Sequence, residues 1–491
     1  MPAMNKEPCY YNLFFIERKH LFGEMGFMGD FLICFLCPIM KIFKKRRGNI
    51  MNLIQIVILC AIFAFLIAGI AVKKSSMASY ADFTMSKKKL NWFTIATGIS
   101  MTFAGGAAIL TSASIGHMFK WYSLVDPICL MLGILIVIGL YKKYQRDTGN
   151  TISDLLSSNH RALTVLIGVI TSFTFVLIVA ANFVALSKLL APYFPSVNPL
   201  WITFVVSSLI FSYVFFGGFN SVTRTDILQW VLITGLLILP VTFFVITHSG
   251  QLAADVITHQ FAPMPIDYII LFAIPVLFTP LSQDINIRIK SAKNERHGKI
   301  GLIMGGIFYV CIAVAAAYIG IYMGNNNIAL ADPEQAMPLF FRDNFSTFGV
   351  LAVIAALAAI VSTLDSYVLN SITSISNDII KPCSKRQGNV KKNIKTASLI
   401  TYVLAMSIAL FFNKVLVLTL TSLLVYISVL APIALGKVLR LSGRRIFIAS
   451  IVNIAAILTT EFAAISVGPK AIVYPIMGCI IMLGGACIKR K

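Results

Sequence analysis

Charged residues are scarce in this chain of 491 residues: Asp, Glu, Lys and Arg together make up 12% of it. That is about half the share of an ordinary soluble protein. Acidic residues are rarest, at 19 against 41 Lys and Arg, while hydrophobic residues reach 58%. A water-soluble fold cannot bury this much apolar surface. Because helices satisfy their own backbone polar groups in lipid, the composition predicts an all-α membrane protein.

The sequence lacks the characteristic residues of several function classes. The sequence contains no HExxH or GxSxG motif and no pair of membrane aspartates, and its six histidines are dispersed, which disfavours an intramembrane enzyme. The basic residues lie in short clusters between apolar runs, without the interleaved aromatics of a nucleic-acid surface. The nine cysteines are scattered, so we expect small buried hydrophobic residues rather than disulfides or metal ligands.

Apolar runs of about 20 residues, the length that crosses a bilayer, predict thirteen transmembrane helices from residue 51 onward. They lie near residues 52–72, 91–118, 122–141, 160–190, 200–219, 226–247, 268–287, 300–323, 346–380, 396–413, 415–436, 446–466 and 471–488. Of the Lys and Arg residues between or after them, 28 fall on one side and five on the other. The positive-inside rule then predicts a multi-pass protein of the bacterial inner membrane with a cytoplasmic C-terminus.

Residues 1–50 do not fit this topology, because Lys44, Lys45, Arg46 and Arg47 would stand outside, just before the first span. Residues 44–48, Lys-Lys-Arg-Arg-Gly, are the sequence that a purine-rich ribosome-binding site would encode if it were translated. We therefore interpret residues 1–50 as a doubtful extension from a mis-called start, with Met51 as the natural start. A signal peptide is the weaker alternative, because no small-residue cleavage site follows the apolar run.

The spans predict two inverted repeats, as in many secondary transporters. Residues 51–90 form a first accessory helix and a cytoplasmic loop, 91–247 and 268–436 form the two five-helix repeats, and 446–491 form two accessory helices and a tail. The first span of each repeat is interrupted, by Gly98, Gly105 and Gly106 in one and by Pro275 and Pro280 in the other. Broken helices at matching positions predict a binding site near the bilayer midplane.

One apolar helix, residues 355–381, carries a dense set of polar side chains. Hydroxyl side chains alone are weak evidence for a binding site, because they can hydrogen-bond to their own helix backbone. An acidic residue such as Asp365 is stronger evidence, because a charged side chain inside a span is energetically costly and commonly functional. Sodium, a hard cation, prefers oxygen ligands. The hydroxyls of Ser362 and Thr363, with the carbonyl of Ala359 one turn earlier, can supply three.

Three stretches resemble motifs of the sodium:solute symporter family. Residues 362–366 with 378–381 resemble the signature of the family's eighth core helix, residues 217–229 its Gly-Gly…Thr-Asp…Gln motif, and residues 283–288 with Ala292 the cytoplasmic exit of its sixth core helix. The resemblance implies a LeuT-like core of five plus five helices and sodium-driven uptake of a small solute by alternating access.

The resemblance also implies site residues. Residues 96–100 look like the unwound sodium segment of the first core helix, which places sodium among Ala96, Ile99, Ser100, Ala359, Ser362 and Thr363. Asp226 matches a family aspartate associated with coupling, although a helix cap is an equal interpretation, and Asp365 either tunes the charge of the site or is hydrogen-bonded within the bundle. Candidate walls of the solute pocket are Phe103, Asn182, Gln283 and Asn286.

Two alternatives stay open at this point: a proton-coupled carrier on the same fold, and a membrane sensory protein. The Ser362–Thr363 pair and Asp365 favour sodium over protons, and we expect no kinase after Lys491, which disfavours a sensor. Sodium is the expected coupling ion, with no organic cofactor and no obligate protein partner. The solute, whether amino acid, sugar or carboxylate, is not specified by the sequence.

Overall fold

The computed structural model describes residues 55–62, 83, 90–146, 149, 151–157, 159–247, 263–326, 328, 330–345, 349–384, 389–463 and 470–487. In this part of the chain the regular structure is helical, apart from an isolated bridge between Leu90 and Ala292. We label its main helices in chain order: α1 Trp92–Phe103, α2 Gly106–Phe119, α3 Val125–Gly139, α4 Tyr141–Arg146, α5 Ile152–Leu156, α6 Arg161–Leu190, α7 Pro199–Ile233, α8 Ile266–Ala273, α9 Pro275–Leu281, α10 Gln283–Ser291, α11 Glu295–Asn325, α12 Ala336–Asn344, α13 Gly349–Thr373, α14 Val390–Phe411, α15 Val415–Val438, α16 Gly443–Phe462 and α17 Lys470–Cys487.

Ten helical stretches of the described chain are long and apolar enough to cross a membrane, which confirms the predicted multi-pass, all-α class. The predicted number of thirteen is not reproduced. One reason is that a 3₁₀ turn, Lys120–Leu124, joins α2 to α3, so the stretch Gly106–Gly139 contains parts of two predicted spans. The predicted extension 1–50 lies outside the described residues, as does most of the predicted accessory segment 51–90, of which 55–62 are helical.

The predicted loop between spans 200–219 and 226–247 is wrong. The backbone is helical from Pro199 through α7, continues through a π-helical turn at Thr234–Ile238, and ends at Thr247. Three polar residues in and directly after the predicted loop are nearly or fully buried: Thr223, Asp226 and Gln229 are at most 5% exposed. Because they face protein rather than water, they do not require the helix to end.

Both predicted helix interruptions are present. Between α1 and α2, Ala104 (φ −80°, ψ 34°) and Gly105 (φ −66°, ψ 170°) leave the helical conformation. In the second repeat, α9 begins at Pro275, where the missing N–H of proline is tolerated, and extended Ser282 separates α9 from α10. Each of the two proposed repeats thus contains an interrupted first span.

The carbonyls next to the second break bond to tyrosine side chains. The hydroxyl of Tyr426 donates to the carbonyl of Leu281 at 2.8 Å, and the hydroxyl of Tyr144 donates to that of Pro280. Backbone carbonyls buried without a partner are costly, so these tyrosines stabilise the interrupted geometry.

Helix α13 lies at the centre of the bundle, since 23 of its 25 residues are buried. It packs against α1, α2, α6, α7 and α14, while α11 packs against α1, α2 and α3. Glycine permits some of this proximity: a Cβ added to Gly320 of α11 would lie 1.9 Å from the carbonyl oxygen of Ala113. The break between α1 and α2 therefore lies against the most buried of the described membrane-crossing helices.

Candidate functional site

The break between α1 and α2 is in direct contact with α13. A Cβ added to Gly105 would lie 2.3 Å from Oγ1 of Thr363, and one added to Gly106 would lie 1.9 Å from Cγ1 of Ile360. Only glycine lets the backbone come this close to a neighbouring helix. The Gly105–Gly106 pair therefore positions the end of α1 beside the hydroxyls of α13.

Thr363 bridges the two elements. Its hydroxyl lies 2.9 Å from the carbonyl oxygen of Met101 and 3.2 Å from that of Thr102. Both carbonyls belong to the last turn of α1, where a helix leaves its carbonyls without intrahelical partners. Hydroxyl and carbonyl oxygens are the ligands that a hard cation prefers. The helix break and α13 thus bring two kinds of suitable oxygen together in a fully buried place.

The prediction that the chain unwinds at Ala96–Ser100 is wrong, because α1 is helical from Trp92 to Phe103. The Ser100 hydroxyl donates to the carbonyl of Thr97 at 2.9 Å, within its own helix. The helix is interrupted where Gly105 and Gly106 meet α13, whereas the earlier Gly98 lies against Arg288. Ala96 and Ile99 are fully buried in the helical part of α1.

Ser362, the neighbour of Thr363, takes part in a buried polar network. Its hydroxyl donates to Oδ1 of Asp226 at 2.6 Å, and Oδ2 of the same carboxylate lies 3.4 Å from Nη2 of Arg288. Nε of Arg288 donates to Asp284 at 2.7 Å. Asp226 lies inside α7 and is fully buried, so the alternative interpretation of this residue as a helix cap is wrong.

The same guanidinium reaches the broken helix. Nη2 of Arg288 donates to Oγ1 of Thr102 at 3.1 Å, and this hydroxyl donates to Oγ of Ser366 at 2.9 Å. Asp365, the residue before Ser366, is also fully buried. The network therefore links the last turn of α1 with α7, α10 and α13. In it, the carboxylates of Asp226 and Asp284 share the buried positive charge of Arg288.

A cavity lies beside the break and is formed by residues of α1, α2, α3, α6, α8, α9, α11, α13 and α15. Its walls are mainly apolar and aromatic. Asp126, in the first turn of α3, is the one charged residue among the described residues that line it. The hydroxyl of Tyr309, on α11, donates to Oδ2 of Asp126 at 2.5 Å.

The four predicted pocket residues separate into two pairs. Phe103 and Asn182 line the cavity; the Phe103 ring lies 6.3 Å from that of Tyr309, and Oδ1 of Asn182 accepts from the backbone N–H of Ala107 at 3.3 Å. Gln283 and Asn286 are fully buried on α10 and are not part of this lining. Gln283 instead contacts α13, through the carbonyl of Asn370, and Ser374 directly after it.

Comparison with known proteins agrees with this geometry. Residues 83–442 match the sodium:solute symporter family. The chain belongs to this family. The predicted family and its sodium-driven symport are thereby confirmed, while the solute stays unspecified. No curated protein matches the sequence.

Solved structures show the fold of this symporter. A Na⁺-coupled sialic acid symporter in a substrate-bound outward-open state has 16% sequence identity and a TM-score of 0.69, and the alignment covers 89% of this chain and 98% of that one. Mhp1, a nucleobase-cation-symport-1 family transporter in a closed conformation with bromovinylhydantoin bound, has 14% identity, a TM-score of 0.56 and coverage of 84% and 96%. MhsT in complex with L-phenylalanine has 13% identity, a TM-score of 0.50 and coverage of 82% and 99%. The LeuT-like fold predicted for the symporter is confirmed.

Sequence analysis missed several residues of the candidate site. The carbonyls of Met101 and Thr102 could not be selected, because the position of the break depends on which glycines meet α13. Asp126 did carry a signal, since it is an acidic residue within the predicted span 122–141, and such residues are commonly functional. Its partner Tyr309 carried none, because a tyrosine in a span has no distinctive pattern.

Proposed function

We propose that this symporter carries a small solute into a bacterial cell across the inner membrane, with its C-terminus in the cytoplasm. One observation carries the proposal for the sodium site: the Thr363 hydroxyl lies at the carbonyls of Met101 and Thr102, where α1 is broken. The repeats 91–247 and 268–436 move relative to each other in this proposal. It requires no organic cofactor and no protein partner.

Sodium is held between α1 and α13 in this proposal. From α13 come the hydroxyls of Ser362 and Thr363 and the carbonyl of Ala359, and from α1 the carbonyls of Met101 and Thr102. The carbonyls of Ala96 and Ile99, with Ser100 nearby, form the alternative set, one turn or more earlier in α1. Both sets consist of oxygen ligands, which suits a hard cation.

Asp226 prepares Ser362 for cation binding. A hydroxyl has one hydrogen and two lone pairs, and the hydrogen of Ser362 points to Asp226 at 2.6 Å. The lone pairs are thereby left for a cation. Because Arg288 contacts both Asp226 and Thr102, a change at the sodium ligands of α13 is transmitted to the broken helix. Asp365 contributes negative charge in the same turn.

Sodium binding favours a state in which α1 and α13 are held together, and the solute cavity lies against the same break. A ligand shifts a conformational equilibrium by its difference in affinity for the two states. The membrane potential adds about 2.3 kcal/mol per charge for each 100 mV, which concentrates a neutral solute roughly fifty-fold per sodium. This is sufficient to drive uptake by alternating access.

The test is the thermal stability of the purified symporter in sodium chloride against potassium chloride at equal ionic strength. A ligand at 100 times its Kd stabilises the folded state by about 2.7 kcal/mol, so a sodium-specific rise that saturates is expected. Equal stability in both salts over the whole concentration range would reject the proposed sodium site and favour the proton-coupled carrier.

A further inference from the structure

Among its described lining residues, the cavity beside the helix break has negative charge only. Asp126 has the one carboxyl group among the described residues that line the cavity, and these residues include no lysine, arginine or histidine. The partner shown for its carboxylate is the Tyr309 hydroxyl, which donates to Oδ2. The carboxylate therefore has a hydrogen-bond donor beside it and no positively charged side chain in the lining.

An ionised carboxylate among apolar walls is unfavourable unless a positive charge accompanies it. For Asp226 and Asp284 this rule is satisfied within the chain, since both pair with the buried Arg288. At Asp126, none of the described residues that line the cavity is a cation. A solute that carries its own positive charge would complete the pair.

The walls around Asp126 suit an organic cation. Five aromatic residues line the cavity: Phe103, Phe272, Phe278, Tyr309 and Tyr367. The face of an aromatic ring attracts ammonium groups electrostatically, and more strongly when water is excluded. The rings come from α1, α8, α9, α11 and α13, so they approach the cavity from several directions. Their apolar surfaces can also contact the hydrocarbon part of a small solute.

We propose that Asp126, oriented by Tyr309 in the cavity that these aromatic rings line, binds the ammonium group of the transported solute. The solute class is thus a small organic molecule with an ammonium group, rather than a neutral sugar or a carboxylate anion. This inference rests on the proposed function, because it assigns the solute of the same transport site. The ammonium group belongs either to an organic cation or to a zwitterion such as an amino acid.

The test measures thermal stability of the purified symporter at constant, saturating sodium with four probes: choline, proline, myo-inositol and succinate. Saturable stabilisation by choline or proline is expected, with none by myo-inositol or succinate. Asp126→Asn should weaken the apparent affinity for that probe roughly 30-fold or more, as expected when one partner of a buried charge pair is truncated. Tyr309→Phe should weaken it to a smaller degree, and Asp126→Glu should retain part of it.

Asp343→Asn is the matched control, because Asp343 pairs with Arg342 at an exposed site away from the cavity lining; it should leave the affinity unchanged. Stabilisation by both choline and proline shows that the ammonium group suffices, and stabilisation by proline alone shows that a carboxylate is recognised as well. If Asp126→Asn does not give a folded, monodisperse protein, Tyr309→Phe and Asp126→Glu decide. Stabilisation by myo-inositol or succinate, no response to either ammonium probe, or unchanged affinity in the variants overturns the inference.

The sodium response in the absence of probes separates this inference from the proposed function. If sodium stabilises the wild type and Asp126→Asn equally while the ammonium probes have no effect, the solute assignment alone fails. If sodium has no specific effect on the wild type, the proposed sodium site fails as well.

Discussion

The hydroxyl of Ser362 lies 2.6 Å from Oδ1 of Asp226, and both residues are fully buried. The contact joins α13 to α7, and the carboxylate continues to Arg288 and from there to Thr102 at the broken helix. A hydroxyl whose hydrogen is engaged by a carboxylate presents its lone pairs in the remaining directions. The proposed sodium site is therefore part of a buried charge network, and perturbing either should affect the other.

The first prediction concerns the two hydroxyls of α13. Ser362→Ala or Thr363→Ala should each raise the sodium concentration required for half-maximal stabilisation by about tenfold, because each removes one oxygen ligand worth about 1–2 kcal/mol. Sodium titrations of thermal stability on the purified variants measure this. Ser407→Ala is the control, since this hydroxyl bonds within α14 on an exposed face. The same sodium midpoint in both variants and the wild type would contradict the site.

The second prediction concerns the buried guanidinium. Arg288→Met leaves the carboxylates of Asp226 and Asp284 without their cation, and removing one member of a buried ionic pair costs about 3–5 kcal/mol. We expect a corresponding loss in the free energy of unfolding, measured by denaturant titration in detergent. Arg342→Met, which removes the exposed pair with Asp343, should cost no more than about 1 kcal/mol.

The double variant Arg288→Met with Asp226→Asn tests the coupling within this network. Residues in direct contact give non-additive effects, so the double variant should be less destabilised than the two single changes added together. Additive losses would show that Arg288 and Asp226 do not form a functional pair and would remove the proposed link between the sodium ligands and the broken helix.

The third prediction concerns the close approach at the helix break. Gly105→Ala should weaken sodium binding, because a Cβ at this position would lie 2.3 Å from Oγ1 of Thr363 and must displace it. The sodium dependence of thermal stability is the readout. Gly484→Ala is the matched control, since a Cβ there would meet no atom within 4 Å. Identical sodium dependence in the two glycine variants would argue against Thr363 as a ligand.

Much of the fold could be predicted from the sequence because lipid imposes a simple rule: a span needs about 20 apolar residues. The interruptions could be predicted too, because glycine pairs and prolines weaken a helix locally. The exact position of the first break could not. Gly98 and Gly105 lie in the same predicted span, and the structure packs Arg288 against the first and Thr363 against the second.

The continuous helix through residue 224 shows a second limit of sequence analysis. Thr223 lies in the predicted loop, and Asp226 and Gln229 lie at the start of the next predicted span. Burial against neighbouring helices is what permits all three inside one continuous helix. The pairing of Asp126 with Tyr309 is similar, because the two residues lie in different helices and no local pattern relates them. Long-range packing therefore determines the parts of the site that the sequence does not reveal.

The last prediction concerns the second helix break, where the Tyr426 hydroxyl donates to the carbonyl of Leu281 at 2.8 Å. Tyr426→Phe leaves this carbonyl without a donor, and an unsatisfied buried acceptor costs about 1–3 kcal/mol. We expect a loss of that size in the free energy of unfolding. Tyr268→Phe is the control, because Tyr268 is 36% exposed, so losing its hydroxyl does not leave a fully buried acceptor unsatisfied. Because Leu281 precedes the extended residue Ser282, a stable Tyr426→Phe variant would mean that the proline-containing break keeps its shape without the tyrosine.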